Sequence, residues 1–210
     1  MTQHLYAFGS LCRGEFDRFS DVDLLACVDS KTAARKIDSR QFSVYTYDRL
    51  QALWHEGNPF AWHLHLESKL VYSSDGSDVL AEFGEPRSYR NARADCAKFR
   101  CLFSESYGSL QSDAQSKTFH LSCMFLAVRN FATCYSFTKG RPNFSRLSPL
   151  QVVPAVPIEE GAFSLLVRAR VLSTRGVGAA LSKEEIALAT KSCIRVHEWM
   201  SALESQEVLS

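Results

Sequence analysis

The sequence predicts an α+β fold in which a small α/β unit precedes a helical bundle. Two kinds of hydrophobic periodicity lead to this expectation, and they change at Glu85-Pro86. Before that point, short apolar segments of strand character alternate with helical segments, whereas almost everything after it repeats with helical spacing. We therefore expect two domains, residues 1–85 and residues 86–210.

Four strands and two helical segments are expected in the first domain. The predicted strands are His4–Phe8, Val22–Val28, Phe42–Tyr47 and Lys69–Ser73. The predicted helices are Lys31–Ser39 and Tyr47–Glu67, the second broken around Gly57-Asn58-Pro59. Strands that alternate with helices indicate an α/β unit, here too small for a full doubly wound fold.

The second domain is predicted from helical stripes. One apolar stripe runs along a long helix and consists of Ala92, Cys96, Phe99, Phe103, Tyr107 and Leu110. The segment Thr118–Phe137 is apolar nearly all round, which predicts a buried central helix. Residues 139–157 hold four of the six prolines, and we expect a long surface connection there.

Two further helices complete a bundle of about four. One is expected over Glu159–Ser173. The last begins at Ser182, where Glu185 three residues later completes a capping box. Its apolar stripe is regular and consists of Ile186, Ala189, Cys193, Val196, Met200 and Leu203.

Composition excludes several classes of protein. The chain has 210 residues with 24 Lys plus Arg against 23 Asp plus Glu, so bulk charge does not favour binding to nucleic acid or anionic membrane. Hydrophobic residues make up 46% and charged residues 22%, values that exclude long disorder. No apolar run approaches the roughly 18 residues of a membrane span. The seven cysteines form no CxxC pair, and the expected location is a reducing cytoplasm.

The most informative motif is Gly9-Ser10, ten intervening residues, then Asp21-Val22-Asp23. Asp21 and Asp23 are two residues apart on a predicted strand, so they share a face while Val22 and Leu24 point into the core. Two such carboxylates repel each other unless a divalent cation lies between them. Oxygen ligands suit Mg²⁺, with Mn²⁺ as an alternative, and this ion also binds the phosphates of a nucleotide. We therefore predict that Asp21 and Asp23 are metal ligands.

The residues around this motif are suited to a nucleotide's phosphates. Gly9 allows close approach of the backbone, and Ser10 offers its hydroxyl and amide. Arg13 and Arg18 can neutralise the charge on a leaving pyrophosphate. Tyr45 and Tyr47 on a predicted strand are candidates for the wall of the cleft. Together these parts predict a site for nucleotidyl transfer.

This pattern closely resembles the polymerase-beta-like nucleotidyltransferase superfamily, especially its minimal nucleotidyltransferase branch. The resemblance implies a small mixed-sheet nucleotidyltransferase domain with Asp21 and Asp23 as catalytic residues. It also implies Mg²⁺-dependent transfer of a nucleoside monophosphate, usually from ATP, to a hydroxyl of a protein, RNA or small-molecule acceptor. The helical part looks like the HEPN-like or kanamycin-nucleotidyltransferase-like domains of relatives, which makes a homodimer through that part an expectation.

One departure from the family's pattern supports a rival interpretation. Relatives usually carry a third carboxylate on a neighbouring strand, and the matching segment here places Ser43 or Tyr45 at that position. Asp48, at the end of the predicted strand, is the substitute considered. Without that carboxylate the chain is expected to be a slow enzyme or a non-catalytic module that binds a nucleotide or a partner.

Some other residues invite a functional reading but favour a structural one. His63 and Glu67 share a helical face, yet zinc would need further ligands that are not evident, so a helix surface or a supporting contact is favoured. Glu67 leaning into the cleft is the alternative. The aromatic residues at helical spacing are expected in the core rather than against a base: Trp54, Phe60 and Trp62.

Overall fold

The computed structural model of the protein describes residues 3–15, 22–112 and 115–206. These residues form two compact units, one up to Arg90 and the other from Asn91 onward. The first unit contains the sheet and the second is helical, so the predicted α+β class is confirmed.

The first unit is built on a mixed sheet of four strands. Their bounds are β1 Gln3–Phe8, β2 Asp23–Val28, β3 Ser43–Thr46 and β4 Ser68–Ser73. The strands lie in the order β3-β2-β1-β4. β1 is antiparallel to both β2 and β4, whereas β2 and β3 are parallel. All four predicted strands are therefore present, each with both ends within one residue of the expected bounds.

Five helices of the first unit are described. They are α1 Ser10–Arg13, α2 Lys31–Ala34, α3 Tyr47–Glu56, α4 Pro59–Glu67 and α5 Val79–Glu82. The predicted break between α3 and α4 is confirmed. Gly57 ends α3 in the left-handed conformation, and the Asn58 side chain caps α4 by accepting a hydrogen bond from the amide of Phe60.

The core of this unit lies on one face of the sheet, against α3, α4 and α5. Its buried members are Tyr6, Phe8, Leu25, Cys27, Leu50, Leu53, Trp54, Ala61, Leu64 and Leu80. Trp54 is in the core, as expected, and Phe60 packs against its edge. The expectation that Val22 points into the core is wrong. Val22 precedes β2 rather than belonging to it, and 48% of its surface is exposed.

The helical unit is arranged around one long helix. Its helices are α6 Ala92–Gln111, α7 Lys117–Thr138, α8 Ser148–Gln151, α9 Glu160–Arg175, α10 Lys183–Ser192 and α11 Val196–Gln206. α7 packs against α6, α8, α9 and α10 and is buried on several sides, which confirms the predicted central helix. The capping box of Ser182 and Glu185 at the start of α10 is also confirmed.

The last predicted helix is interrupted. A turn at Cys193–Arg195 separates α10 from α11, and the amides of Cys193, Ile194 and Val196 donate to carbonyls three residues earlier. Hydrogen bonds of this kind are typical of tighter 3₁₀ geometry. The apolar stripe gave no sign of this break, because its residues are buried on both sides of the turn, from Ala189 to Leu203. Among the described residues of the helical unit, five helices rather than four therefore have ten or more residues.

The connection over residues 139–157 is only partly the surface loop that its prolines suggested, since exposed residues alternate with buried ones and it contains the short helix α8. Several of its residues are buried: Phe144, Ser145, Ser148, Val152 and Val156. Side chains of the helices satisfy its backbone carbonyls. Arg129 Nη2 donates to the carbonyl of Phe144 at 2.8 Å, and Trp199 Nε1 donates to that of Pro154 at 2.9 Å. A buried loop is stable under this condition, because its polar groups are paired.

Two further findings concern membrane-spanning helices and disulfide bonds. Among the described residues, no helix combines the length and the apolar character that crossing a bilayer requires. The cysteines all fall within the described ranges, and none of them forms a disulfide bond.

The corner between α3 and α4 gives a test of the fold. An alanine Cβ at Gly57 would lie 2.5 Å from the carbonyl oxygens of Arg87 and Ser88, whereas Gly84 has a similar φ and open space around it. We expect Gly57→Ala to lower the free energy of unfolding by about 1–3 kcal/mol more than Gly84→Ala, because only the former adds a steric clash to the left-handed strain. Urea unfolding of the two variants measures this difference. Equal losses would contradict the close approach.

Candidate active site

The turn at Gly9 brings the backbone close to a carboxylate. β1 ends at Phe8, and Gly9 has φ of 76° and ψ of −137°, a conformation that residues with a side chain rarely adopt. A Cβ on Gly9 would lie 3.0 Å from Asp23 Oδ2 and 3.7 Å from ring atoms of His63. The backbone conformation therefore favours glycine here, and an added side chain would also press on the end of the Asp23 side chain.

The pairing of β1 with β2 places Asp23 beside this turn. Asp23 is the first residue of β2 and pairs with Phe8, the last residue of β1. The residue is exposed, so its carboxylate lies at the surface beside Gly9. The predicted motif residues Gly9 and Asp23 are thus adjacent in the structure.

Of the other predicted site residues, two lie on the short helix α1 and two lie outside the described residues. Ser10 and Arg13 begin and end α1, and the Cys12 thiol holds this short helix against β1 by donating to the Ala7 carbonyl. Asp21 and Arg18 lie outside the described residues, and their roles stay predictions.

Charged side chains from α1 and α4 meet beside the Gly9 turn. The Gly9 amide donates to the carbonyl of Glu67 at 3.0 Å, which joins the end of α4 to the end of β1. The Glu67 carboxylate accepts a hydrogen bond from Arg13 Nη1 and lies 3.0 Å from His63 Nε2. Arg13 Nε also donates to Glu15 at 2.9 Å. Arg13 is therefore shared between two carboxylates.

Partial burial strengthens the electrostatic interactions of Glu67 with Arg13 and His63, because less water surrounds these groups. The side chains of Glu67 and Arg13 are only 14% and 18% exposed. Burial by itself raises the pKa of the Glu67 carboxyl, but the contact with His63 and the charge of Arg13 outweigh burial and hold the pKa below its ordinary value. Glu67 is therefore ionised at neutral pH.

Sequence reasoning did not predict the pairing of Arg13 with Glu67. The two residues are 54 positions apart, and Arg13 was interpreted only as a phosphate-binding residue. The four-residue spacing of His63 and Glu67 on α4 was the available signal, since it places both on one helical face.

β3 carries no carboxylate, as its sequence SVYT shows. Ser43 is its first residue, is exposed and pairs with Leu25, so it lies on the same face of the sheet as Asp23. Asp48 does not replace the third carboxylate. It lies in the first turn of α3, beyond the opposite end of β3.

The two tyrosines have different surroundings. Tyr45 is half-buried with its ring 5.4 Å from that of Phe60, and its contact with a nucleotide stays a prediction. Tyr47 belongs to α3 rather than to the strand. Its hydroxyl donates to the carbonyl of Cys27 and lies 2.7 Å from His4 Nδ1, at the end of the sheet opposite Gly9.

The described residues contain no group of three or more His, Cys, Asp or Glu side chains arranged to hold a metal ion. His65, the remaining histidine of α4, is exposed and contacts the edge of Trp62.

Comparison with known proteins bears on the first unit. Residues 3–83 match the family described as nucleotidyltransferase domain, a range that runs from β1 through α5. No curated protein matches the chain at a significant level. The family match supports nucleotidyl transfer in general and agrees with the resemblance to the polymerase-beta-like superfamily.

The charge on Glu67 gives a pH-dependent prediction. Because its pKa is lowered in the folded protein, its stabilising effect is complete above the ordinary value of 4.5 and is lost as the pH falls through the lower, folded-state pKa. We expect Glu67→Gln to reduce the free energy of unfolding by about 1–3 kcal/mol at pH 7, with the difference from wild type shrinking below about pH 4.5. Urea unfolding across this pH range is the measurement.

A matched control is Glu56→Gln. Glu56 pairs with Arg49, but both side chains are about half exposed. The expected loss is within about 0.5 kcal/mol. If Glu67→Gln lowered the free energy of unfolding no more than this control at every pH, the partly buried pairing of Glu67 with Arg13 would be contradicted.

Proposed function

We propose that this protein is a nucleotidyltransferase that moves a nucleoside monophosphate, AMP from ATP in the first instance, onto a hydroxyl of a protein, RNA or small-molecule acceptor. Residues 1–85 are the catalytic domain in this proposal, and residues 86–210 are a helical domain that supports the site or binds the acceptor. The observation that carries the proposal is the Gly9 turn, which holds the backbone directly beside the Asp23 carboxylate. The family match over residues 3–83 supports the reaction class.

Mg²⁺ is the proposed cofactor, with Asp21 and Asp23 as its ligands. The donor set fits this ion, because carboxylate oxygens are the ligands that Mg²⁺ prefers and the Asp23 carboxylate is exposed. The missing side chain of Gly9 leaves room beside Asp23 Oδ2. When bound, Mg²⁺ supplies positive charge that offsets the charge of the triphosphate.

The remaining residues bind and orient the nucleotide in this proposal. Gly9 allows the triphosphate to approach the backbone, and Ser10 offers its hydroxyl and amide to phosphate oxygens. Arg13 and Arg18 bind the leaving pyrophosphate, and Tyr45 lines the nucleotide cleft. Glu67 and Glu15 fix the direction of the Arg13 guanidinium through their hydrogen bonds.

The first test compares Asp23→Asn with Asp48→Asn. Both substitutions remove one exposed carboxylate, but Asp48 lies beyond the opposite end of β3. With Mg²⁺ and each NTP, we expect Asp23→Asn to lose pyrophosphate release by at least about a hundredfold, because the substitution removes a metal-binding charge. Asp48→Asn should retain the wild-type rate.

The assay follows pyrophosphate and the transfer of a labelled nucleotide to protein, RNA and small hydroxyl acceptors. Full activity in Asp23→Asn would overturn the assignment of the site. Circular dichroism of both variants shows that each is folded.

A second function, a nucleotide-binding or partner-binding module without turnover, is favoured by one observation. β3 provides Ser43 where relatives usually have a carboxylate. Mg²⁺-dependent thermal stabilisation by ATP without pyrophosphate release, after all three classes of acceptor had been supplied, would support this second function.

Ser43 itself offers a gain-of-function test. Because Ser43 is exposed and shares a face with Asp23, Ser43→Asp should restore a third carboxylate and raise pyrophosphate release by roughly tenfold or more. Ser43→Asn is the control, since it has nearly the same size without the charge. Equal rates in the two variants would mean that position 43 lies away from the reacting groups.

A further inference from the structure

The helical unit contains a cleft of about 800 Å³, and none of the residues assigned above to the metal ion or the nucleotide lines it. It lies between the end of α6, the start of α7 and one face of α10. Sites for small organic molecules typically measure about 300–1,000 Å³. The cleft therefore has the size of a ligand site, and all its lining residues belong to the unit that begins at Asn91.

The α10 side of the cleft is amphipathic. Lys183, Ile186, Ala187, Thr190 and Lys191 line it, and their spacing of three and four residues places them on one helical face. The two lysines are eight residues apart, so they stand about 12 Å from each other along the helix with an apolar middle between them.

The opposing side adds an apolar wall and another positive charge. From α6, Leu110 is buried and Tyr107 stacks on the buried Phe103, with ring centroids 6.0 Å apart. This stacking fixes the orientation of the Tyr107 ring. Lys117, the first residue of α7, also lines the cleft.

The charged side chains that line the cleft are all positive. None of the described residues that line it is acidic. Glu184 and Glu185 of α10 are held elsewhere, because Glu184 accepts from the Ser182 hydroxyl and Glu185 pairs with Arg168. Neither Lys183 nor Lys191 forms an ion pair with any residue that the structure describes. An anion would therefore find Lys183 and Lys191 with charges that no described carboxylate neutralises.

We propose that this cleft binds a small amphipathic organic anion. Its alkyl or aromatic body packs on Ile186, Leu110 and Tyr107, and its carboxylate or phosphate meets the lysines at the rim. Both parts are required, since an exposed lysine alone binds an anion weakly in water, whereas apolar burial adds affinity in proportion to area. The proposal is independent of the proposed function.

The test uses ligands that separate the two parts. The full chain is titrated by calorimetry with octyl phosphate, octanoate, 1-octanol and inorganic phosphate. Octyl phosphate and octanoate should bind, and which of them binds more tightly identifies the preferred anionic group. Octanol lacks the charge and inorganic phosphate lacks the apolar body, so each should bind at least about tenfold more weakly.

Variants test where these ligands bind. Lys183→Gln/Lys191→Gln should weaken octyl phosphate binding by roughly tenfold or more, because it removes charge-assisted contacts. Ala187→Glu should weaken it as well, since Ala187 is an exposed cleft residue and glutamate adds bulk and negative charge. Lys98→Gln is the matched control. Lys98 is an exposed lysine of α6 outside the cleft, and its loss should leave binding unchanged.

Several results would overturn the proposal. They are the absence of binding by both octyl compounds, octanol binding as tightly as octanoate, and inorganic phosphate binding as tightly as octyl phosphate. The same holds if Ala187→Glu and the double lysine variant bind like wild type, or if Lys98→Gln weakens binding equally.

Discussion

The backbone at Gly9 lies close to both the Asp23 carboxylate and the His63 ring, and the local arrangement of the first unit depends on this close approach. The same residue donates its amide to the carbonyl of Glu67. The end of β1, the start of β2 and the end of α4 are therefore joined around one residue without a side chain. Sequence-distant groups come together there because no Cβ occupies the space between them.

The electrostatics of the site follow from this arrangement. Once the end of α4 is tied to Gly9, the Glu67 side chain lies within reach of Arg13 at the end of α1. Arg13 is then bound by both Glu67 and Glu15. In the proposed reaction its guanidinium is already oriented, so less rotational freedom is lost when a nucleotide binds. In the same proposal, the partial neutralisation of Arg13 lowers its attraction for the triphosphate, so that Mg²⁺ would supply a larger share of the charge compensation.

Much of the fold could be predicted from local patterns. Short apolar segments predicted the four strands, and Gly57-Asn58-Pro59 predicted the break between α3 and α4, because each of these signals depends on neighbouring residues. The burial of residues 139–157 could not be predicted in this way, since it depends on hydrogen bonds from Arg129 and Trp199, which are distant in the sequence or on another helix.

The candidate site divides along similar lines. Gly9 and Asp23 were predicted from a motif of fixed spacing, and the structure places them side by side. The pairing of Arg13 with Glu67 was not predicted, because strand register and the Gly9 turn create it. The roles of all these residues in binding a metal ion or a nucleotide stay predictions.

The turn at Cys193–Arg195 has a consequence for helical phase. Residues in 3₁₀ geometry advance by about 120° each, so three of them complete a full rotation, whereas three α-helical residues fall about 60° short. Cys193 and Val196 are three apart and both fully buried, as this rotation requires. α10 packs on α9 and α7, while α11 packs on α6 and, through Trp199 against Phe131, also on α7. The chain thus exchanges α9 for α6 as a packing partner while the same side of the chain stays buried.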